Sequence, residues 1–182
     1  IEKINGVRAQ WDALQQDIDA LKLDQTTSLD AHAQLIRKLL NTNRDVLDFY
    51  GLSLDSDIST YRLITSNFSS LPELTESLGK IRAFGTSLLA RKEAVNEADS
   101  VRMESLISTG AYNLDMFAQD SEKLFSSDTG LKQKFSADAD AAVQEAKNAL
   151  KTAGALFISR SMTNQNPQDY AAIFTSAINR FS

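Results

Sequence analysis

The stretch Phe49-Tyr-Gly-Leu-Ser-Leu-Asp-Ser-Asp-Ile-Ser-Thr-Tyr-Arg-Leu63 interrupts one helical pattern and precedes another. Upstream of it, steps of three and four residues from Ile4 pass through Val7, Trp11, Leu14, Ile18, Leu21, Gln25, Ser28, His32, Leu35, Leu39, Thr42, Val46 and Phe49. A heptad seam held that long predicts one helix over about residues 2–50, roughly 70–75 Å at the α-helical rise. Leu29, Ile36, Leu40 and Leu47 add a second apolar row, as on a helix with two neighbours. Gly51 suits the positive φ of a helix end, and Asp55 or Ser56 is the expected cap of the next helix, so the chain reverses here.

Downstream, the second helix (about 56–95) carries Tyr61, Ile64, Phe68 and Leu71, then Leu74, Leu78, Ile81, Gly85, Leu88 and Val95. The step from Leu71 to Leu74 is one residue short, and Pro72 follows Leu71, so a break is expected near 72. A third helix over 97–127 is marked by Met103, Ile107, Gly110, Leu114, Phe117, Ser121 and Leu124. A fourth, over 131–160, is marked by Phe135, Ala139, Ala142, Ala146, Ala149, Ala153 and Leu156. Alanine at seam positions lets helix axes approach, although it is also simply the best helix former. After a lapse at Ser159-Arg-Ser-Met-Thr-Asn-Gln-Asn-Pro167, Asn166 as cap, Pro167 at the first position and Asp169 in the first turn start a last helix over 167–181. Its buried face is expected at Tyr170, Phe174, Ala177 and Phe181. Breaks are thus expected near Gly51, Pro72, Asp128 and Asn164.

These elements give an all-α, elongated up-down-up-down bundle of four main helices, some broken, in a single domain of residues 1–182. Its reversals put both termini at one end, the geometry required if each continues into a membrane helix. With 7 Gly and 2 Pro in 182 residues, turns are few. A net charge of −5, its basic residues interleaved with acidic ones, excludes the electrostatic footprint of a nucleic-acid binder. The chain has no Cys and therefore no disulfide or thiolate chemistry. A single His cannot build the paired Glu-x-x-His sites of di-iron bundles or a His-Glu-x-x-His zinc site, and no phosphate-cradling glycine loop is present. No cofactor, no metal site and no enzymatic activity is expected.

The segments Gly51-Leu-Ser-Leu-Asp-Ser-Asp-Ile-Ser-Thr-Tyr-Arg-Leu-Ile64, Leu71-Pro-Glu-Leu-Thr-Glu-Ser-Leu-Gly-Lys-Ile-Arg-Ala-Phe-Gly85 and Tyr170-Ala-Ala-Ile-Phe-Thr-Ser-Ala-Ile-Asn-Arg-Phe181 resemble the helical extracytoplasmic sensor domains of bacterial methyl-accepting chemotaxis receptors, also found in membrane histidine kinases. The resemblance covers about His32 to the C-terminus. It implies a periplasmic bundle between two membrane helices of an inner-membrane receptor, dimeric in the full-length protein, in which a ligand shifts the last helix. Where relatives carry an aromatic or apolar residue after the matching Tyr61, this chain has Arg62.

The candidate site residues are polar groups in or beside the seam. Gln25, Ser28 and His32 occupy successive seam positions of the first helix, where apolar residues stabilise more. They either bond one another and set register, or form a wet layer that receives a ligand. Counting heights at 1.5 Å per residue brings Arg82 to the level of Gln25. Arg82 follows Ile81 in the seam and offers a fork of N–H donors to an anion. Tyr112 flanks the same layer, and Thr42, Tyr61 and Arg62 form a second candidate layer nearer the turn. The ligand class this set suits is a small anion such as an organic acid. The alternative is a helical interaction module, sensing a partner protein or membrane state without a small ligand.

Overall fold

A computed structural model describes residues 2–54, 56–91, 93–159 and 165–181. Among these the chain is all-α, in two compact units, residues 1–54 and 55–182.

The first unit is a helical hairpin of α1 (Glu2–Asp19) and α2 (Gln25–Phe49). The seam predicts one uninterrupted helix here; the structure breaks it at residues 20–24 and folds the halves back on each other. Leu21 takes a left-handed φ of 52°. The Lys22 amide donates to Asp17 O at 3.0 Å and the Leu21 amide to Ile18 O at 2.9 Å, the paired bonds of a Schellman ending. Asp24 then caps α2, its carboxylate accepting from the Thr27 amide at 2.8 Å. The antiparallel pairing is fixed by Lys3 to Asp45 at 2.6 Å and Lys38 to Gln10 at 2.7 Å. The second end behaves as expected: Gly51 has φ 67° and α2 stops at the residue pair before it.

The second unit begins with α3 (Ile58–Thr65), capped by Asp57 rather than by Asp55 or Ser56, with the Asp57 carboxylate accepting from the Thr60 amide at 2.8 Å. α3 runs through a π-helical turn over Ser66–Ser70 into α4 (Leu71–Ala90), where the Leu71 amide donates to Ser66 O. The expected break at Pro72 is therefore a π turn just before it. Pro72 has no N–H to give and its ring would clash with the carbonyl four residues back; widening the turn relieves both. The wider turn also rotates the seam, so Ser66 is buried while Phe68, a seam residue by the heptad count, is 46% exposed.

α5 (Glu97–Ser127) starts on the Asn96 cap, and α6 (Thr129–Phe157) on the Asp128 cap. α7 (Pro167–Asn179) begins where the sequence indicates: Asn166 Oδ1 accepts from the Gln168 amide at 2.7 Å and the Asp169 amide at 3.4 Å. Most of the lapse before it, residues 160–164, including the break expected near Asn164, lies outside the described residues.

Within this unit α4 packs on α5 and α7, α5 on α6, and α6 on α7, closing a ring of four around one core. Leu74, Leu78, Ile81, Phe84 and Leu88 of α4 meet Met103, Leu114 and Phe117 of α5. The alanine row Ala142, Ala146, Ala149 and Ala153 is buried, as are Tyr170, Phe174 and Ala177. Close approach is real at Gly110, where a Cβ would stand 3.0 Å from Ile81 Cδ1 and 3.1 Å from Leu150 Cδ2.

Candidate functional site

Several polar groups of the second unit lie at seams between helices. Along α4 and α5, the Asn113 amide donates to Ser77 Oγ at 2.7 Å and to Glu73 O at 3.3 Å, and Ser70 donates to the Asp120 carboxylate. Each of these groups is satisfied by another, so the strip fixes register rather than presenting donors to a ligand.

The α4–α7 seam is different. Arg82 follows Ile81 on α4 and Thr175 follows Phe174 on α7, so each side chain flanks a buried residue and the two meet at the edge of the core. Arg82 is half-buried, and its Nη1 donates to Thr175 Oγ1 at 2.9 Å, while that hydroxyl donates to Ala171 O at 2.9 Å. No carboxylate of the described residues lies within ion-pair distance of Arg82. Its neighbours are placed otherwise: Lys80 pairs with Glu76 at 3.0 Å, Arg91 with Asp99 at 3.5 Å and Arg180 with Glu145 at 3.3 Å. Arg102 lies over the Phe84 ring, 4.7 Å from its centroid. A guanidinium partly out of water, held by one neutral hydroxyl and keeping further N–H donors, is suited to a small anion.

Gln25, Ser28 and His32 belong to the first unit. His32 is half-buried, its Nδ1–H donating to Ser28 O at 2.7 Å, and its ring meets Trp11 edge to face at 6.2 Å. The Gln25 side chain lies outside the described residues. Thr42 is buried and donates to Lys38 O at 2.9 Å, one turn back on its own helix. In the second unit Arg62 Nη1 donates to Lys123 O at 2.6 Å, tying α3 to α5. Tyr61 is 39% and Tyr112 65% exposed. Thr175 was not among the residues the sequence singles out; the signal was its place one residue past a seam aromatic, the mirror of Arg82 past Ile81.

An open groove at the start of α5 is lined by Asn96, Glu97, Val101, Arg102 and Ser105. The Glu97 carboxylate in its lining disfavours an anion there. Among the described residues no group of three His, Asp or Glu side chains could hold a metal ion, and no helix is long and apolar enough to cross a membrane.

No curated protein and no solved structure matches the chain. The model of one family, NIT, nitrate and nitrite sensing, matches residues 2–182. The chain thus belongs to the NIT family of extracellular sensor domains.

Proposed function

We propose that this chain is the periplasmic sensing module of a chemotaxis-type transmembrane transducer, and that its ligand is a small oxyanion of the nitrate and nitrite class bound at Arg82. The observation that carries the proposal is the half-buried Arg82 guanidinium, bonded to Thr175 and without a carboxylate partner among the described residues. Among small anions, a class to which the organic acid expected from sequence also belongs, the family's description as nitrate and nitrite sensing supports these two as the first to test. Nitrate is planar with three equivalent oxygens, so two can accept from guanidinium N–H donors that the bond to Thr175 leaves free. The role is binding and not catalysis. A ligand that engages Arg82 competes with or reinforces its bond to α7, and so biases the packing of the helix nearest the C-terminus. Helices flanking this chain would carry that bias across the membrane to the output module.

Thermal shift and calorimetry with sodium nitrate, nitrite, chloride, sulfate and acetate at matched ionic strength test it. Nitrate or nitrite should stabilise the protein beyond chloride, by about 2.7 kcal/mol at a concentration one hundred times the dissociation constant. Arg82→Ala, a good helix former at that position, should remove the effect, and Arg82→Lys should weaken it because the fork is lost. Stabilisation by nitrate that survives Arg82→Ala, or that equals that of chloride, overturns the assignment.

A further inference from the structure

α3 is a helix that its own residues sustain poorly. Ile58, Thr60, Ile64 and Thr65 are β-branched, Ser59 is a weak helix former, and eight residues make barely two turns. Among the described residues the core of the second unit begins at Leu71 and takes none from α3. α3 packs instead on the last turns of α5, and its bonds there run one way: Arg62 Nη1 donates to Lys123 O at 2.6 Å, and Ser59 Oγ to Ser127 O at 3.4 Å. Both end on backbone carbonyls where a helix carries partial negative charge. α5 has no basic residue in its own last turn, so Arg62 supplies from another helix the cation that such an end favours. Past α3 the attachment changes character. Ser70 donates to the Asp120 carboxylate and Asn113 to Ser77 Oγ, side chain to side chain and fixed in register. The π turn lies between the two kinds of tie. There the Leu71 amide goes to Ser66 O, Pro72 has no amide to give, and Leu63 O is engaged at 2.9 Å by the Asn67 side chain, so the backbone ladder joining α3 to α4 is thinned.

We propose that α3 is a detachable clasp: Arg62 fastens it to the carboxyl end of α5, and it releases as one unit at the π turn while α4, α5, α6 and α7 stay folded. A helix this short does not persist once its contacts are gone, so release and melting are one event. The consequence lies in the chain that precedes it. The two units divide at residue 54. With the clasp docked, the second unit is anchored from Asp57 onward; with it released, only from Ser70, and the residues between become free chain. Part of the fastening is the attraction of a guanidinium for a helix end, which salt screens, so the clasp is sensitive to ionic conditions in a way the apolar core is not. The inference is independent of the anion assignment.

Native-state hydrogen exchange of the whole chain in low urea at fixed pH tests the proposal. Relative to their intrinsic rates, the amides of residues 61–65 should open together and exchange at least about a hundredfold faster than those of residues 110–117 in α5. Arg62→Ala should speed the α3 amides by about fivefold or more, although Ala is the better helix former, and should leave residues 110–117 and α7 unchanged. Arg62→Lys keeps the charge and loses the planar fork, so it should fall between. Raising salt from about 0.05 M to about 0.5 M should speed α3 exchange in the parent and not in Arg62→Ala. Amides of α3 that exchange only together with those of α5, or that Arg62→Ala leaves unchanged, contradict the clasp, as does a salt response that Arg62→Ala retains in full.

Discussion

Tyr170 lies in the space that a side chain at Gly85 would need: a Cβ built on Gly85 would stand 2.5 Å from Cε1 and Cζ of the Tyr170 ring. The ring is fully buried, and its hydroxyl donates to Ile81 O at 3.1 Å, one turn before Gly85 on α4. α7 is therefore keyed into α4 at the level of Arg82 and Thr175, so the glycine helps decide where the candidate site sits.

Gly85→Ala should destabilise the protein by about 1–3 kcal/mol, because a buried aromatic ring backed by Phe157 and Phe174 must shift. Gly79→Ala is the counterpart with the opposite sign. A Cβ there meets nothing within 4 Å, so it should stabilise by about 0.4–1 kcal/mol through helix propensity and a less disordered unfolded chain. Urea midpoints of the two variants against the parent check both signs.

Alkaline pH should loosen the same contact. Burial pushes the Tyr170 phenol well above its ordinary value of 10.0. Below pH 10 both folded and unfolded chains keep this proton and its contribution is constant. Above it the unfolded chain ionises while the folded one does not, so stability falls as pH rises. Tyr170→Phe should cost about 0.5–1.5 kcal/mol near neutrality for the lost hydrogen bond, and should flatten the decline between pH 10 and 11.

The acid side turns on the caps. The Thr60 backbone amide and hydroxyl hold the Asp57 carboxyl below its ordinary value, and Thr27 does the same for Asp24. A lowered folded value means that this support is present at neutral pH and lost as pH falls through it. Asp57→Asn keeps a capping oxygen but cannot titrate. Protection of the first-turn amides of α3, taken relative to their intrinsic exchange rates, should therefore fall below pH 4 in the parent and hold in the variant.

Much of the helical order was legible, and the exceptions share a physical cause. Asn166, Pro167 and Asp169 announced α7, and Tyr170, Phe174 and Ala177 are the buried face the period indicated. The turn at residues 20–24 was hidden because Ile18 and Gln25 stand one heptad apart, so the pattern stays in phase across it. The left-handed position, usually Gly or Asn, is filled by Leu21. The short step from Leu71 to Leu74 was visible, but a π turn and a break leave the same mark in sequence. At the candidate site, Arg82 was readable as a cation beside the seam. Its partner was not, since contacts between α4 and α7 join residues that no local pattern connects.

The link between Arg82 and α7 is most directly read by hydrogen exchange of the α7 amides, residues 168–179, in nitrate and in chloride at equal ionic strength. Nitrate should change their protection several-fold while leaving the buried amides of α6 unaltered, and Arg82→Ala should abolish the change. Nitrate that binds without altering α7, or an α7 response that persists in Arg82→Ala, would contradict a sensor built on this contact.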